Sequence, residues 1–222
     1  MEELIGLIDI VSKNKVKRIE VIGSPSNYQS NLQKLYDGIV SKRFRTTKDA
    51  ENILYPEDPR QSEKFKRLRN RLTDRLLNTL FFIDVNQPRF NDAQKAYYNS
   101  YKDFAALKLL IGRGNRLTSV KLGERILKKA LNFEFTDLSV EVLKELRIIY
   151  GTVLADWKNF QRCNELLEKQ FEIFGIELKA EGYYVEIARH FVSSNASKKN
   201  LENVAVDYTL DLEKYLPKVN TI

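Results

Sequence analysis

The sequence predicts an all-α protein in which stacked helical hairpins, forming a short α-solenoid, follow a basic helical N-terminal unit. Apolar residues recur at intervals of three and four along most of the chain, which is the period of amphipathic helices. Helix-capping residues stand at the start of several of these stretches. Nine glycines and five prolines in 222 residues are too few for the many turns that an all-β chain needs.

The best specified element is a long helix predicted from Asp58 to Ile83. Asp58 is expected to be the N-cap, with Pro59 in the first turn and Gln61 at the capping-box position. No further glycine or proline interrupts the stretch, so we expect a helix about 34 Å long at ~1.5 Å per residue. Its apolar face comprises Phe65, Leu68, Leu72, Leu76, Leu80 and Ile83. A basic edge comprises Lys64, Arg67, Arg71 and Arg75.

Shorter elements complete the predicted N-terminal unit, residues 1–84. A helix is expected to start at Ser24, and Thr46 with Asp49 forms a capping-box pair that begins another. The β-branched run 16–22 favours an extended segment, although no second strand is available to pair with it.

A succession of helices is predicted for a second unit, residues 90–216, followed by a tail at 217–222. Gly175 is expected to end one helix, so that another runs from Ile176 to Val192, and the final helix covers 201–216. The final helix has no successor to pack on, which predicts that the chain is the N-terminal part of a longer array. The residues that mark the expected boundaries are Asn91 with Gln94, Gly112–Asn115, Thr136–Asp137, Asp156–Trp157 and the polar loop 193–200.

Residues 97–192 resemble a degenerate tetratricopeptide-type repeat in the placement of helices and turns. Leu117-x-x-Val120 and Phe160-x-x-Cys163 recur 43 residues apart, each just after a turn. The spacing is longer than the usual repeat of about 34 residues, and the Trp/Leu/Gly/Tyr signature of that family is missing. The resemblance implies binding of a peptide or protein partner. The small residues that contribute to it are Ala105, Ala130, Gly151 and Ala155.

The net charge of +7 is concentrated in one region of the chain. Residues 42–75 contain eleven Lys and Arg against six Asp and Glu, an excess of +5. A local basic excess of this kind is typical of surfaces that bind acidic partners or nucleic acid. Its alternative interpretation is a solvated face whose charges are paired within the protein.

The composition argues against enzymatic and metal-binding functions. Cys163 and His190 are the only residues of their types, which leaves no ligand set for a metal and no local nucleophile–base pair. We therefore predict a protein with no enzymatic activity and no cofactor, in which Cys163 is an inert, buried thiol. A single cysteine also favours a reducing, cytoplasmic location. The longest apolar runs are too short to span a membrane.

The predicted function is that of a non-enzymatic helical-repeat scaffold that binds a protein or peptide partner. The alternative is a nucleic-acid-binding protein that uses the basic helix 60–83. Tyr98 is expected to be exposed because it lies off the core face predicted for Tyr97, Tyr101 and Phe104. The sequence leaves the identity of the partner and the oligomeric state open. The predicted binding residues are Arg43, Arg45, Lys64, Arg67, Arg71, Arg75 and Tyr98.

Overall fold

The computed structural model describes residues 1–14, 30–192, 198–217 and 219, with residues 190–192 and 198–200 described by their backbone alone. Regular structure in these residues is entirely helical, which confirms the predicted all-α class. The chain divides into two compact units, Met1–Arg89 and Phe90–Ile222. The extended segment predicted at 16–22 and the helix start predicted at Ser24 lie outside the described residues.

Four helices are described in the N-terminal unit, and α4 is central because it contacts each of the other three. Its side chains Phe65, Leu72 and Leu76 are at most 1% exposed, as the predicted apolar face requires. Full burial of one such side chain contributes about 1.5–3 kcal/mol to stability. The helices are α1 (Glu2–Lys13), α2 (Asn31–Val40), α3 (Thr47–Leu54) and α4 (Gln61–Leu80).

The helix α4 is shorter at both ends than the predicted span. Asp58 is not its N-cap, because the backbone N–H of Arg60 donates to the Asp58 carboxylate at 2.9 Å and the helix begins only at Gln61. Pro59 therefore belongs to the preceding turn. At the other end, residues 81–83 form three-residue turns, since their backbone N–H groups donate to carbonyl oxygens three positions earlier.

Five helices are described in the C-terminal unit, and each packs on its neighbours in sequence. A π-helical turn, Ile149–Val153, extends the third of them. Polar contacts also join alternate helices: the Lys108 ammonium pairs with Glu145 at 2.6 Å, and Arg162 pairs with Glu124. This arrangement is the stacking expected of a helical array. The helices are α5 (Asp92–Gly112), α6 (Arg116–Asn132), α7 (Thr136–Ile148), α8 (Trp157–Val192) and α9 (Lys198–Glu213).

The predicted end of a helix at Gly175 is wrong, because α8 is continuous from Trp157 to Val192, a length of 36 residues. Glycine lowers helix stability by about 1 kcal/mol, but it keeps its backbone N–H and does not interrupt the hydrogen-bond ladder. The last helix also begins earlier than predicted, at Lys198. Hence the predicted pair 157–174 and 176–192 is a single helix.

Several local predictions can be compared directly with the structure. The capping boxes at Thr46 and Asn91 are both present, each with reciprocal side-chain and backbone hydrogen bonds. Gly114 ends the turn between α5 and α6 with a φ of +71°, a conformation that suits glycine. Thr136 does not cap α7, since the helix begins at Thr136 itself and Phe135 precedes it.

Some of the residues in the predicted repeat region are buried and others are exposed. Ala130, a small packing residue of the resemblance, and Cys163, predicted to be a buried thiol, are both fully buried. Ala105, another small residue of the resemblance, is exposed, and the apolar side chains of Leu117 and Phe171 are 74% and 65% exposed. An amphipathic pattern identifies the apolar side of a helix, but the neighbouring helices decide how much of that side is covered.

Candidate binding surfaces

The predicted basic edge lies on the exposed side of α4, and all four of its residues are accessible to solvent. Lys64 forms an ion pair with Asp58, and Arg67 forms one with Glu63 one turn earlier in the helix. The hydrogen bond from Lys64, followed by that from the backbone N–H of Arg60, lowers the pKa of Asp58. Such exposed pairs contribute at most ~1 kcal/mol, so they leave the charges available to a partner at small cost.

Arg43 and Arg45 flank a buried aromatic residue between α2 and α3. Phe44 is 3% exposed and packs directly over Gly38, where an added Cβ would lie 2.2 Å from the ring. Both arginines are exposed. The buried Phe44 thus fixes this connection to the core, while the guanidinium groups on either side of it remain accessible.

Tyr98 lies in the C-terminal unit, on α5, and is 47% exposed as predicted. Its ring meets Tyr97 and Phe90 edge to face, with centroid distances of 5.7 and 5.8 Å. Tyr97 is itself 41% exposed, so the prediction that it belongs to the core is wrong. Its ring lies 5.3 Å from that of Phe135, the residue that precedes α7, measured between centroids. Tyr98 thus belongs to an aromatic cluster of the C-terminal unit, whereas the predicted basic residues belong to the N-terminal unit.

A group of buried or half-buried polar side chains in the C-terminal unit is internally paired, whereas the buried hydroxyls of Ser100 and Ser139 have no hydrogen-bond partner among the described residues. The Tyr150 hydroxyl donates to the Glu124 carboxylate at 2.8 Å, and Arg162 pairs with the same carboxylate. Cys163 lies beside this group with no exposed surface, and burial raises the pKa of its thiol. A thiol of this kind is mostly protonated at neutral pH and reacts slowly. The side chain of His190 lies outside the described residues.

An unpredicted surface lies on α8, where five residues form one exposed stripe, which we call the open stripe: Phe171, Gly175, Leu178, Gly182 and Val185. Its three apolar side chains are 65%, 50% and 55% exposed, respectively. At ~100° per residue, all five positions fall within about 80° of the helix circumference. A Cβ added at either glycine would meet no atom within 4 Å, so there is open space directly above both glycines.

The signal for the open stripe was present in the sequence. Phe171, Leu178 and Val185 are spaced seven residues apart, which keeps them on one face of a continuous helix. The prediction that Gly175 ends the helix concealed this spacing, because it assigned the three residues to two separate helices. A continuous α8 is therefore the observation that makes the stripe visible.

The helix α9 packs beside the open stripe through a polar and aromatic network. Lys179 pairs with Asp211 at 2.5 Å, and the Tyr183 hydroxyl donates to the same carboxylate at 2.8 Å. These two hydrogen bonds, that of Lys179 first, lower the pKa of Asp211 to about 2. The rings of Tyr183 and Tyr208 stack with centroids 3.8 Å apart. The network covers the flank of α8 next to the stripe and leaves the stripe itself open.

Neither a metal site nor a membrane segment is found in the part of the chain that the structure describes. No group of three His, Cys, Asp or Glu side chains there is arranged to hold a metal ion. None of the described helices combines the length and apolarity needed to cross a bilayer. The sequence matches no protein-family model, and comparisons with curated proteins and with solved structures yield no match.

Proposed function

We propose that the protein is a non-enzymatic, cytoplasmic scaffold that binds a helical segment of another protein. The observation that carries this proposal is the open stripe on α8. It presents three large apolar side chains on one face, each at least half exposed, with room above the two glycines between them. Apolar residues at seven-residue spacing can pack against a second helix as in a coiled coil, and arrays of helices commonly bind peptides on their extended surfaces. The resemblance to tetratricopeptide repeats over 97–192 points in the same direction.

The stripe offers a geometry that fits a partner helix of moderate length. From Phe171 to Val185 it extends about 21 Å at ~1.5 Å per residue. A helix of about 15 residues would cover it, and its side chains would interdigitate with Phe171, Leu178 and Val185 as knobs in holes. Desolvation of exposed apolar side chains supplies the main driving force for such binding.

The second candidate function is nucleic-acid binding by the N-terminal unit. It is favoured by the exposure of all six predicted basic residues, Arg43, Arg45, Lys64, Arg67, Arg71 and Arg75. The ion pairs of Lys64 and Arg67 count only slightly against it, because such exposed pairs cost little to break. Binding of this kind would weaken with salt, with a log–log slope of about −0.9 for each phosphate contact on duplex DNA.

One affinity-capture experiment separates the two functions. The tagged full chain, a Leu178→Ser variant and an Arg67→Glu/Arg71→Glu variant are each used on native lysate, with and without nuclease. The proposal predicts that the wild type and the charge variant capture the same protein whether or not nuclease is added. Leu178→Ser should fail to capture it. The captured protein, once purified, should bind the wild-type chain directly. Loss only with the charge variant, and only before nuclease treatment, would establish nucleic-acid binding in its place. Leu117→Ser, which removes another exposed leucine away from the stripe, is the matched control.

A further inference from the structure

The open stripe is bordered by exposed acidic side chains. Relative to Phe171, Glu168 and Glu172 lie about 60° and 100° round the helix on one side, and Glu181 lies about 80° round on the other. Glu186 lies on the α9 side and accepts a hydrogen bond from the Tyr208 hydroxyl. All four carboxylates are on exposed residues. Neutral donors such as the Asn164 amide, 2.8 Å from Glu168, leave the negative charge in place.

Neither Glu168 nor Glu181 forms an ion pair within the described part of the chain, and two cations of the α8–α9 contact are engaged by another carboxylate. Lys179 is already paired with Asp211 at 2.5 Å, and Lys214 lies 3.4 Å from the same carboxylate. Across residues 165–216 there are ten Asp and Glu against six Lys and Arg, a net charge of −4 within a chain whose total is +7. The part of the protein that carries the stripe is therefore acidic, in contrast to the rest of the chain.

We propose that the occupant of the open stripe is a basic amphipathic helix of a partner protein, an inference that rests on the proposed function. Its apolar residues would recur every three or four positions and pack on Phe171, Leu178 and Val185. Lys or Arg on either side of its apolar face would approach Glu168 and Glu181. Opposite charges at the edges of a helix pair set partner choice and orientation, and they accelerate association.

The same charges disfavour the other possible occupants. A second copy of the chain that docked through its own open stripe would place two acidic borders against each other, and like charges across an interface are repulsive. Nucleic acid and anionic membrane surfaces carry negative charge and are repelled for the same reason. A basic amphipathic helix is complementary both to the apolar side chains of the stripe and to the acidic side chains beside it.

Synthetic peptides of about 18 residues test this proposal directly, since that length covers the stripe with a turn to spare. One fluorescent peptide has leucines at helical spacing and Lys flanks, the second has the same leucines and Glu flanks, and the third is a scrambled form of the first. Each is titrated with the full chain, and binding is followed by fluorescence anisotropy at low and high salt. We expect the basic helix to bind at least about tenfold more tightly than the other two, and more weakly at high salt.

Three variants locate the binding. Leu178→Ser should lower the affinity for the basic peptide about tenfold, because apolar contact is lost. The control Leu117→Ser should leave this affinity unchanged. Glu168→Gln/Glu181→Gln should reduce both the affinity and its salt dependence. Equal affinities for basic and acidic helices, or binding of the scrambled peptide that matches the basic helix, would overturn the proposal. So would a concentration-dependent dimer that Leu178→Ser dissociates in sedimentation.

The outcomes also distinguish failure of this inference from failure of the proposed function. If only the acidic helix binds, and Leu178→Ser abolishes that binding, the stripe still binds helices and only the basic partner is wrong. If no peptide binds, but Leu178→Ser still fails to capture the protein that the wild type captures from lysate, only the basic nature of the partner helix is refuted. If no peptide binds and Leu178→Ser captures the same proteins as the wild type, both proposals are refuted.

Discussion

Replacing Gly175 and Gly182 by alanine should stabilise the C-terminal unit, because both glycines lie inside the continuous helix α8. An added Cβ at either position meets no heavy atom within 4 Å, and neither residue has a positive φ. Alanine therefore gains its full helix-propensity advantage of about 0.8–1 kcal/mol at each site. The sites lie about 10 Å apart along the helix, so the two effects should add to about 2 kcal/mol.

Urea unfolding followed by tryptophan fluorescence measures this change. Trp157 is the only tryptophan of the chain and begins α8, so its signal reports on the unit that contains both glycines. With a slope of about 2 kcal/mol per molar, the midpoint should rise by about 1 M without a change in slope. The control is Gly114→Ala, which should lower stability by about 1–2 kcal/mol because Gly114 has a φ of +71°. A loss of stability with Gly175→Ala would mean that α8 ends there in a left-handed cap, and the continuous helix would be wrong.

Three further predictions concern other parts of the molecule. Gly38→Ala should destabilise the N-terminal unit by about 1–3 kcal/mol in thermal or urea unfolding, because the new Cβ would lie 2.2 Å from the buried Phe44 ring; an unchanged midpoint would contradict that packing. Cys163 should react with a thiol reagent at pH 8 many times more slowly in the native protein than in urea, because burial raises its pKa and blocks access; equal rates would show that the thiol is exposed. The pKa of Asp211 is lowered to about 2, so its stabilising pair with Lys179 is present above the usual pKa near 4 and is lost as the pH falls toward 2. Hydrogen exchange in α9, corrected for its intrinsic pH dependence, should therefore accelerate over that interval, and Asp211→Asn should remove the acceleration.

Local sequence signals predicted the parts of the fold that depend on neighbouring residues in the chain. Thr46 with Asp49, and Asn91 with Gln94, form the predicted capping boxes because both partners lie within one turn. The residues Phe65, Leu68, Leu72 and Leu76 of the predicted apolar face of α4 are buried, because their period places them on one side of the helix and the other helices of the unit pack there. Asp58 failed as an N-cap because its carboxylate is engaged by the Arg60 N–H and by Lys64, and a pattern of residue types does not distinguish such a turn from a cap.

The open stripe depended on information that is not local. Gly175 has the residue type of a helix end, but the packing of α7 along α8 outweighs the small propensity penalty of one glycine. Phe171 has the residue type of a core position, yet none of the described helices covers it, and it remains 65% exposed. Whether an apolar face is buried depends on which helices pack there, so the candidate binding surface on α8 follows from the assembled fold rather than from its own residues.

In the C-terminal unit each described helix packs on its neighbours in sequence. This arrangement affects how the unit folds and how it unfolds under mechanical force. Its contacts close short loops, which lose little chain entropy and favour fast folding. A hairpin that forms at any point can serve as the surface on which the adjacent helix assembles. The helix α9 packs on α8 alone among the described helices, and its opening should require less free energy than that of α7, which has packed helices on both sides. Pulled from its two ends, such a unit should lengthen in steps of one or two helices instead of rupturing at once.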